Sequence, residues 1–562
     1  MNSEHDRTGV FDCLCSIPGE AMTVQYVRDA LPGAGAGGRH GPAGTPSVTV
    51  PGAALGAGLG LSMGAEAVGP RLAAPSLAEL AASETTETHG AVLYLLGDRA
   101  YKRRKPVDLG LFPVTDRRAR EALCLAEVAL NRRLAPDVYL GVADLRDDAG
   151  TIVDHLVVMR RLPATRQLST LVRRGHRVGP MLRAVARALA VFHQRCQTSP
   201  QIAATGEPAA LAELWRERLA ALAPYRGGQL DARVVDDIGR LALRYLDGRG
   251  DLLAERTRAG WIRDGHGDLL AEDIFCLADG PRILDCVEFD LRGRCGDVLG
   301  DVASLAMDLE RLGAPEEAAE FLEAYREFSG EVHPRSLQHF YVAYRAFDQV
   351  RTACLHGQDD PDAAERARRL LAVAHRHLRA GRVRLVVVGG LPGTGKTTLA
   401  SRLAELGDGW VLLRSDIIRA ELVGPDPADP PEDEAGYGTG RYAPEITDAT
   451  YAEMLRRARA ALGRGERVVL DASWSSARHR QGAAELATAL SADLVELHCV
   501  TTPEVAAARI ARRLAAGPDP SEATVAIHRA MAARADPWPS ATVVRTAVTV
   551  AEALQTVRNL LD

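Results

Sequence analysis

The run RLVVVGGLPGTGKTTLASRLAEL, residues 384–406, constrains this chain more than any other stretch. A short, wholly apolar strand that passes through a glycine-rich turn into a helix belongs in a parallel sheet covered on both faces. Its turn, GLPGTGKT at 390–397, fits the G-x-x-x-x-G-K-[ST] pattern and sits between strand and helix, as that pattern requires. Gly390, Gly393 and Gly395 let backbone N–H groups turn toward phosphate oxygens, where the helix N-terminus adds positive potential. Lys396 can reach the transferred phosphate, Thr397 can hold Mg²⁺, and Thr398 continues the phosphate-binding turn. ATP and Mg²⁺ are therefore the expected cofactors.

Short apolar strands alternate with helices from there on: WVLLRS, RVVLDAS, LVELHCV and TVVRT complete an α/β domain with a mostly parallel sheet. The second strand ends in LLRSDIIRAEL, which places Asp416 and Arg419 on one face of a helical turn. A carboxylate there can orient or deprotonate an acceptor hydroxyl, and the arginine can clamp an anionic group; a helix cap with a surface ion pair is the plainer reading. Asp471 ends the strand in VVLDASWSSARHR, where a carboxylate near hydrated Mg²⁺ or a simple cap would stand, and Arg478 follows it. ARIARRL puts Arg509 and Arg513 on one helix face, as lid groups over phosphates or as a solvated basic face.

GLPGTGKTTLA, RSDIIR, YGTGRYAPEITDATYAEMLRRARAALGRGERVVLDASW and ARIARR together resemble the P-loop kinase-like domain of the zeta-toxin, gluconate-kinase and polynucleotide-kinase group, over about 382–560. The resemblance implies that the P-loop binds ATP and that Asp416 faces the acceptor. It also implies acceptor-side roles for Arg419 and Arg478 and lid roles for Arg509 and Arg513. Members phosphorylate quite different hydroxyls, so the resemblance implies kinase chemistry rather than a substrate.

Upstream, the pattern is a small antiparallel sheet followed by a helical lobe. AVLYLLGDRAYKRRKPV reads as strand, Gly-Asp hairpin and strand; RRAREALCLAEVALNRRL as a helix; DVYLGVADLRD and TIVDHLVVMRR as two more strands. Helical patterns follow at 181–196, 208–223 and 231–246, and again from 300 to about 355. Between these helices lies HGDLLAEDIF, 266–275, then ILDCVEFD. Protein-kinase chemistry needs an aspartate beside the acceptor hydroxyl, a Mg²⁺ ligand five residues on, and a further aspartate after a hairpin. Asp268, Asp273 and Asp285 occupy those places. Lys102 and Glu127, 25 residues apart, could pair to position the α- and β-phosphates. Taken singly, each reads equally as a solvated lysine, an outer helix residue or a turn aspartate, and His266 as a packed or capping residue. Their order along the chain favours the functional version.

The stretch 84–355 resembles the aminoglycoside-phosphotransferase-like domain found in bacterial fusions with this type of P-loop domain. That resemblance rests on ETTETHGAVLYLLGDRAYKRRKPVDLG, CLAEVALNRRLAPDVYLGV, HGDLLAEDIF, ILDCVEFD and GDVLGDVASLAMDLE. It implies a catalytic base at Asp268, a Mg²⁺ ligand at Asp285, and Lys102 with Glu127 as the phosphate-positioning pair. The family usually reads His-Gly-Asp-Leu-His, then asparagine three residues on; here those places hold Leu270 and Asp273. Asp273 can still bind Mg²⁺, but it adds a charge where an amide normally sits. A weakened or altered kinase, a nucleotide binder without turnover, and an active kinase all stay open.

Residues 31–70 hold 12 glycines and 5 prolines, too little apolar bulk to offset the entropy of ordering them. A disordered tail over 1–75 is expected, or a translation start set too far upstream. A kinase-fold domain over 76–356, a linker and helix over 357–381 broken by GQDDPD, and a P-loop domain over 382–562 complete the expected plan. The net charge of -6 argues against a nucleic-acid coat protein or an anionic-membrane binder while leaving room for a local basic cleft. Nine cysteines without a CxxC pair or zinc-ligand spacing point to reduced, mostly buried thiols and a cytoplasmic setting. The expected activity is Mg-dependent transfer of the ATP γ-phosphate to a hydroxyl of a small-molecule acceptor, placed first at the C-terminal domain. The alternatives are an ATP-responsive regulator and, disfavoured for want of an aromatic-basic strip, a nucleic-acid end kinase.

Overall fold

The computed structural model describes residues 69–87, 90–106, 115–356, 361–407, 409–424, 438–516 and 523–561. The tail reading for 1–75 falls mostly on residues outside this set. Its last residues are described, and they contain a strand: ordered structure begins before 75. Fifteen strands are described: β1 (Arg71–Leu72), β2 (Glu84–Glu87), β3 (Ala91–Leu96), β4 (Arg99–Arg104), β5 (Tyr139–Arg146), β6 (Ile152–Arg160), β7 (Ile262–Asp264), β8 (Ile274–Leu277), β9 (Gly280–Ile283), β10 (Cys295–Asp297), β11 (Arg384–Gly389), β12 (Trp410–Arg414), β13 (Arg467–Asp471), β14 (Asp493–Val500) and β15 (Thr542–Arg545). The chain divides into two compact units. The first takes residues up to 236, 256–332 and 341–375; the second takes 237–255, 333–340 and 376–562. Two pieces of the 76–356 range thus belong to the second unit.

The first unit opens with a six-stranded sheet of order β1-β5-β6-β4-β3-β2. Its pairs are antiparallel except β1 with β5. The Gly97–Asp98 turn joins β3 to β4 as the sequence implies, whereas β1 and β2 were not legible as strands. Gly141 makes the β1 edge feasible: a Cβ there would lie 2.2 Å from the Pro70 carbonyl oxygen. Along β4 the side chains alternate between two cores. Ala100 packs with Cys124 and Val128 of the helix Arg117–Asn131 and with Val157 of β6, while Tyr101 packs with Leu145 and Leu156. That alternation turns Lys102 and Arg104 to the same face as Ala100. The helices Gly179–Arg195, Val298–Arg311 and Pro315–Ser329 build the helical lobe. The short hairpin of β8 and β9 follows the His-Gly-Asp loop.

The second unit is built on a five-stranded sheet of order β12-β13-β11-β14-β15, every pair parallel. All five strands lie where the apolar runs placed them. Val386 and Val388 of β11 pack with Leu399 and Leu403 of the helix Lys396–Ala404, Val469, Leu497 and Val557. Strands so fully buried need helices on both faces, which is why their sequences read as continuous apolar runs. All seven cysteines among the described residues are buried. Among the described residues no helix is long and apolar enough to cross a membrane.

Candidate functional site

In the second unit the P-loop lies at the carboxyl end of β11. Gly393 has φ +80°, and a Cβ there would meet the Ala506 carbonyl oxygen at 2.6 Å, so only glycine fits without displacing backbone. Thr394 Oγ1 donates to the Leu391 carbonyl at 2.7 Å and closes the turn. Gly395 caps the helix Lys396–Ala404, which places Lys396, Thr397 and Thr398 in its first turn.

Strand register brings the next group in. Asp471 pairs with Val388 of β11 on one side and with Arg414 of β12 on the other. The Thr397 hydroxyl lies beside its carboxylate, and Arg414 Nε stands 3.5 Å from Oδ2. Its Oδ1 is buried and has no hydrogen-bond partner among the described residues. Burial raises the Asp471 pKa, Lys396 and the Thr397 hydroxyl oppose the rise, and Asp416 adds to it. An orphaned carboxylate oxygen beside a threonine hydroxyl suits a hydrated divalent cation, which would supply the missing partner. Thr397 and Asp471 therefore fit Mg²⁺.

Asp416 sits in the first turn of the helix Ser415–Val423, and Arg419 Nη1 lies 3.3 Å from its Oδ1. The Arg419 guanidinium also covers the Tyr442 ring at 5.1 Å. Arg478 is exposed and pairs with Asp448, which also binds His479 Nε2 at 2.9 Å. His479 in turn stacks on Tyr451 at 4.0 Å between ring centroids. Arg509 donates to the Thr546 carbonyl at 2.7 Å and reaches the Gly393 carbonyl at 3.5 Å, so in this state it braces the P-loop. Arg513 donates to the Ala523 carbonyl.

In the first unit Lys102, Glu127 and Asp285 meet. Lys102 Nζ is 2.9 Å from Glu127 Oε1 and 2.8 Å from Asp285 Oδ1, with all three side chains at most 5% exposed. Burial by itself lowers the Lys102 pKa; Asp285 and Glu127 outweigh it, and the net shift is upward. Arg104 joins the cluster, bonding Glu127 Oε2 at 2.6 Å and also Glu288. Asp285 holds φ +63°, a left-handed conformation that aspartate tolerates better than most residues.

The His-Gly-Asp loop is pinned from beneath. Asp301 accepts from the amides of His266 at 2.6 Å and Gly267 at 2.9 Å. His266 is fully buried; its Nε2 lies 2.9 Å from the Leu284 carbonyl, and burial lowers its pKa, which keeps it neutral. Asp268 accepts from Gln349 Nε2 at 3.2 Å. Leu270 and Asp273 are both buried. Burial, with Asp285, Glu272 and Asp268 nearby, raises the Asp273 pKa well above the ordinary aspartate range. Among the described residues no three His, Cys, Asp or Glu side chains are gathered so as to hold a metal ion.

Several participants escaped the sequence reading. Arg104 lies two residues beyond Lys102 on a strand, so period-two alternation already puts both on one face. Arg414, at the end of β12, carried the same kind of signal. Glu288, Asp301, Gln349 and Thr546 had none, because each meets its partner through chain folding alone.

Residues 385–538 match the family model of the AAA domain. Over 458 residues the chain is 39% identical to "Uncharacterized protein Rv2004c" of Mycobacterium tuberculosis (strain ATCC 25618 / H37Rv), covering 81% of this chain and 90% of that protein. "Uncharacterized protein Mb2027c" of Mycobacterium bovis gives the same identity and coverage. Among solved structures, the Mycobacterium tuberculosis APS kinase CysC in complex with AMPPNP and APS is 21% identical over 32% of this chain and 98% of its own, with a TM-score of 0.25. The GDP and kanamycin complex of APH(2")-IIia is 18% identical over 52% of this chain and 92% of its own, with a TM-score of 0.35.

Proposed function

We propose, for a chain that belongs to the same family as the mycobacterial proteins Rv2004c and Mb2027c, an ATP-dependent phosphotransferase whose second unit moves the γ-phosphate to a hydroxyl of a small molecule. The observation that carries this reading is the buried Asp471 Oδ1 without a partner, set beside Thr397 at the foot of a P-loop. The AAA domain match over the same residues supports nucleotide binding there.

The Gly390–Gly395 turn cradles phosphate oxygens with its amides, and Lys396 adds a full charge to them. Mg²⁺, held through Thr397 and Asp471, supplies charge neutralisation on the phosphates. Asp416 orients the acceptor hydroxyl and takes its proton as the oxygen attacks, while Arg419 holds Asp416 in place. Arg509 joins the P-loop to the Thr546 segment and keeps the cradle shaped.

The first unit supports a second reading at its own site. There Lys102 bonds Asp285, and Asp273 favours its neutral form. A neutral, buried Asp273 is a poor cation ligand, which favours nucleotide binding with slow turnover or none, and a regulatory use of ATP.

Incubation of the full chain with ATP, Mg²⁺ and a metabolite extract, followed by mass spectrometry of new phosphorylated products, tests both. The product is expected from the wild type and from Asp268→Ala but not from Lys396→Ala. A product that survives Lys396→Ala and disappears in Asp268→Ala moves the chemistry to the first unit. Labelling of DNA 5′ ends in the same assay would favour the end-kinase alternative.

Asp471 gives a second expected result. Asp471→Asn should raise the Mg²⁺ concentration needed for half-maximal turnover by about 10–100-fold. In the wild type that requirement should rise as pH falls through the raised Asp471 pKa, because the protonated carboxyl no longer favours the cation; in the variant the added dependence should vanish. Metal titrations of turnover at several pH values check both.

A further inference from the structure

The second unit contains a small, partly open cleft away from the P-loop, with a cavity volume of about 30 Å³. Three arginines line it, Arg244, Arg249 and Arg382, against a single carboxylate, Asp493; Tyr245 and Phe340 form an aromatic side, their rings 4.8 Å apart. All six residues belong to the second unit.

The arginines are not equivalent. Arg244 Nη1 lies 2.9 Å from Asp493 Oδ1, and Arg382 Nε lies 2.6 Å from its Oδ2, so one carboxylate is shared by two guanidinium groups. Both arginine side chains remain reachable from solvent, at 39% and 33% exposure. Arg249 is only 1% exposed and has no carboxylate partner among the described residues. It donates to two backbone carbonyls, those of Leu462 and Leu490, the latter at 2.8 Å. Its Nε is buried and has no hydrogen-bond partner among the described residues. Burial lowers the Arg249 pKa to about 10, and Arg244 pushes it the same way while Tyr245 opposes. Three guanidinium groups thus line the cleft against one carboxylate, an excess of positive charge that an incoming oxyanion would offset.

We propose that this cleft is a binding site for a phosphate-type oxyanion, distinct from the nucleotide site. Arg382 and the Nη1 of Arg244 engage its oxygens at the mouth, while Arg244 stays anchored through Nε and Nη2 on the Ser491 and Ala492 carbonyls, and Arg249 supplies positive potential from below. Guanidinium N–H groups pair well with phosphate oxygens, so two guanidinium groups at the mouth with a third positive charge beneath them suit this chemistry. Free phosphate and the phosphate of a monoester share that chemistry. Asp493 acts as the resident competitor that the anion partly displaces.

Arginine-specific labelling with phenylglyoxal, read residue by residue by mass spectrometry on the full chain, tests the site. ADP and Mg²⁺ are present throughout, so that phosphate does not report on the P-loop. Inorganic phosphate at about 10 mM, above the roughly millimolar Kd of a modest anion site, should slow labelling of Arg244 and Arg382 about threefold or more and leave exposed Arg478 unchanged. Asp493→Asn should tighten phosphate about tenfold, because the competing charge is gone. Arg382→Gln should remove the protection of Arg244. If Asp493 and its arginines serve only as a structural strut, Asp493→Asn leaves phosphate protection unchanged or absent, and the proposal falls. It falls equally if neither arginine is protected in the wild type by inorganic phosphate or by phenyl phosphate. Stronger protection by phenyl phosphate assigns a monoester, which Tyr245 and Phe340 would accommodate; equal protection assigns free phosphate.

Discussion

Replacing Lys396 by alanine is expected to lower ATP turnover by about 10²–10³-fold, the usual cost of deleting one preorganised charge from a transferring phosphate. The side chain leaves the first turn of a helix whose N-terminus already favours anions, so the variant keeps the amide cradle and loses only the mobile charge. ATP binding should therefore weaken less than turnover. Lys396 also helps to hold down the pKa of buried Asp471, so the variant should need more Mg²⁺ at a given pH. Steady-state kinetics with metal titration separates the two effects. Turnover unchanged in Lys396→Ala would remove the second unit as the catalytic one.

Glu127→Ala should give the largest loss of stability, about 3–5 kcal/mol, because it leaves two buried cations with fewer counter-charges. Glu127 is fully buried and binds Lys102 with one oxygen and Arg104 with the other. Without it, Lys102 keeps Asp285 and Arg104 keeps Glu288, but both cations stay in a site from which water is excluded. Urea denaturation of the full chain, followed by a probe in the first unit, should show that transition move to lower denaturant while the second unit's transition holds. Glu127→Gln should fall between alanine and wild type, since an amide keeps the volume and part of the hydrogen bonding. An unchanged transition would mean that the cluster is solvated and contributes little to the fold.

The C-terminal sheet was legible because its central strands β11 and β13 are buried on both faces and spell themselves out as apolar runs, with half-buried β12, β14 and β15 carrying the same apolar bias. The P-loop was legible because close backbone approach admits only glycine at positions such as Gly393. The Lys102–Glu127 pairing followed from order along the chain and is present as an ion pair. What stayed hidden has a common cause. Strands β1 and β2 are short, lie near or at a sheet edge and carry mostly exposed side chains, so hydrophobic patterning does not mark them. The brace of Arg509 on Thr546 joins a helix to the end of β15, and no local periodicity encodes such a bond.

The sequence by itself determined the two architectures, the phosphate-binding loop and the carboxylates offered to it, since glycine spacing and apolar periodicity are local properties of the chain. Only the tertiary structure decided the charge state and company of those groups. Burial among other carboxylates raises the Asp273 pKa well above the ordinary aspartate range, Lys102 pairs with Asp285, and Asp471 keeps one buried oxygen without a partner among the described residues. Desolvation and proximity set these outcomes, and both depend on which distant segments fold over a residue rather than on its neighbours in the chain.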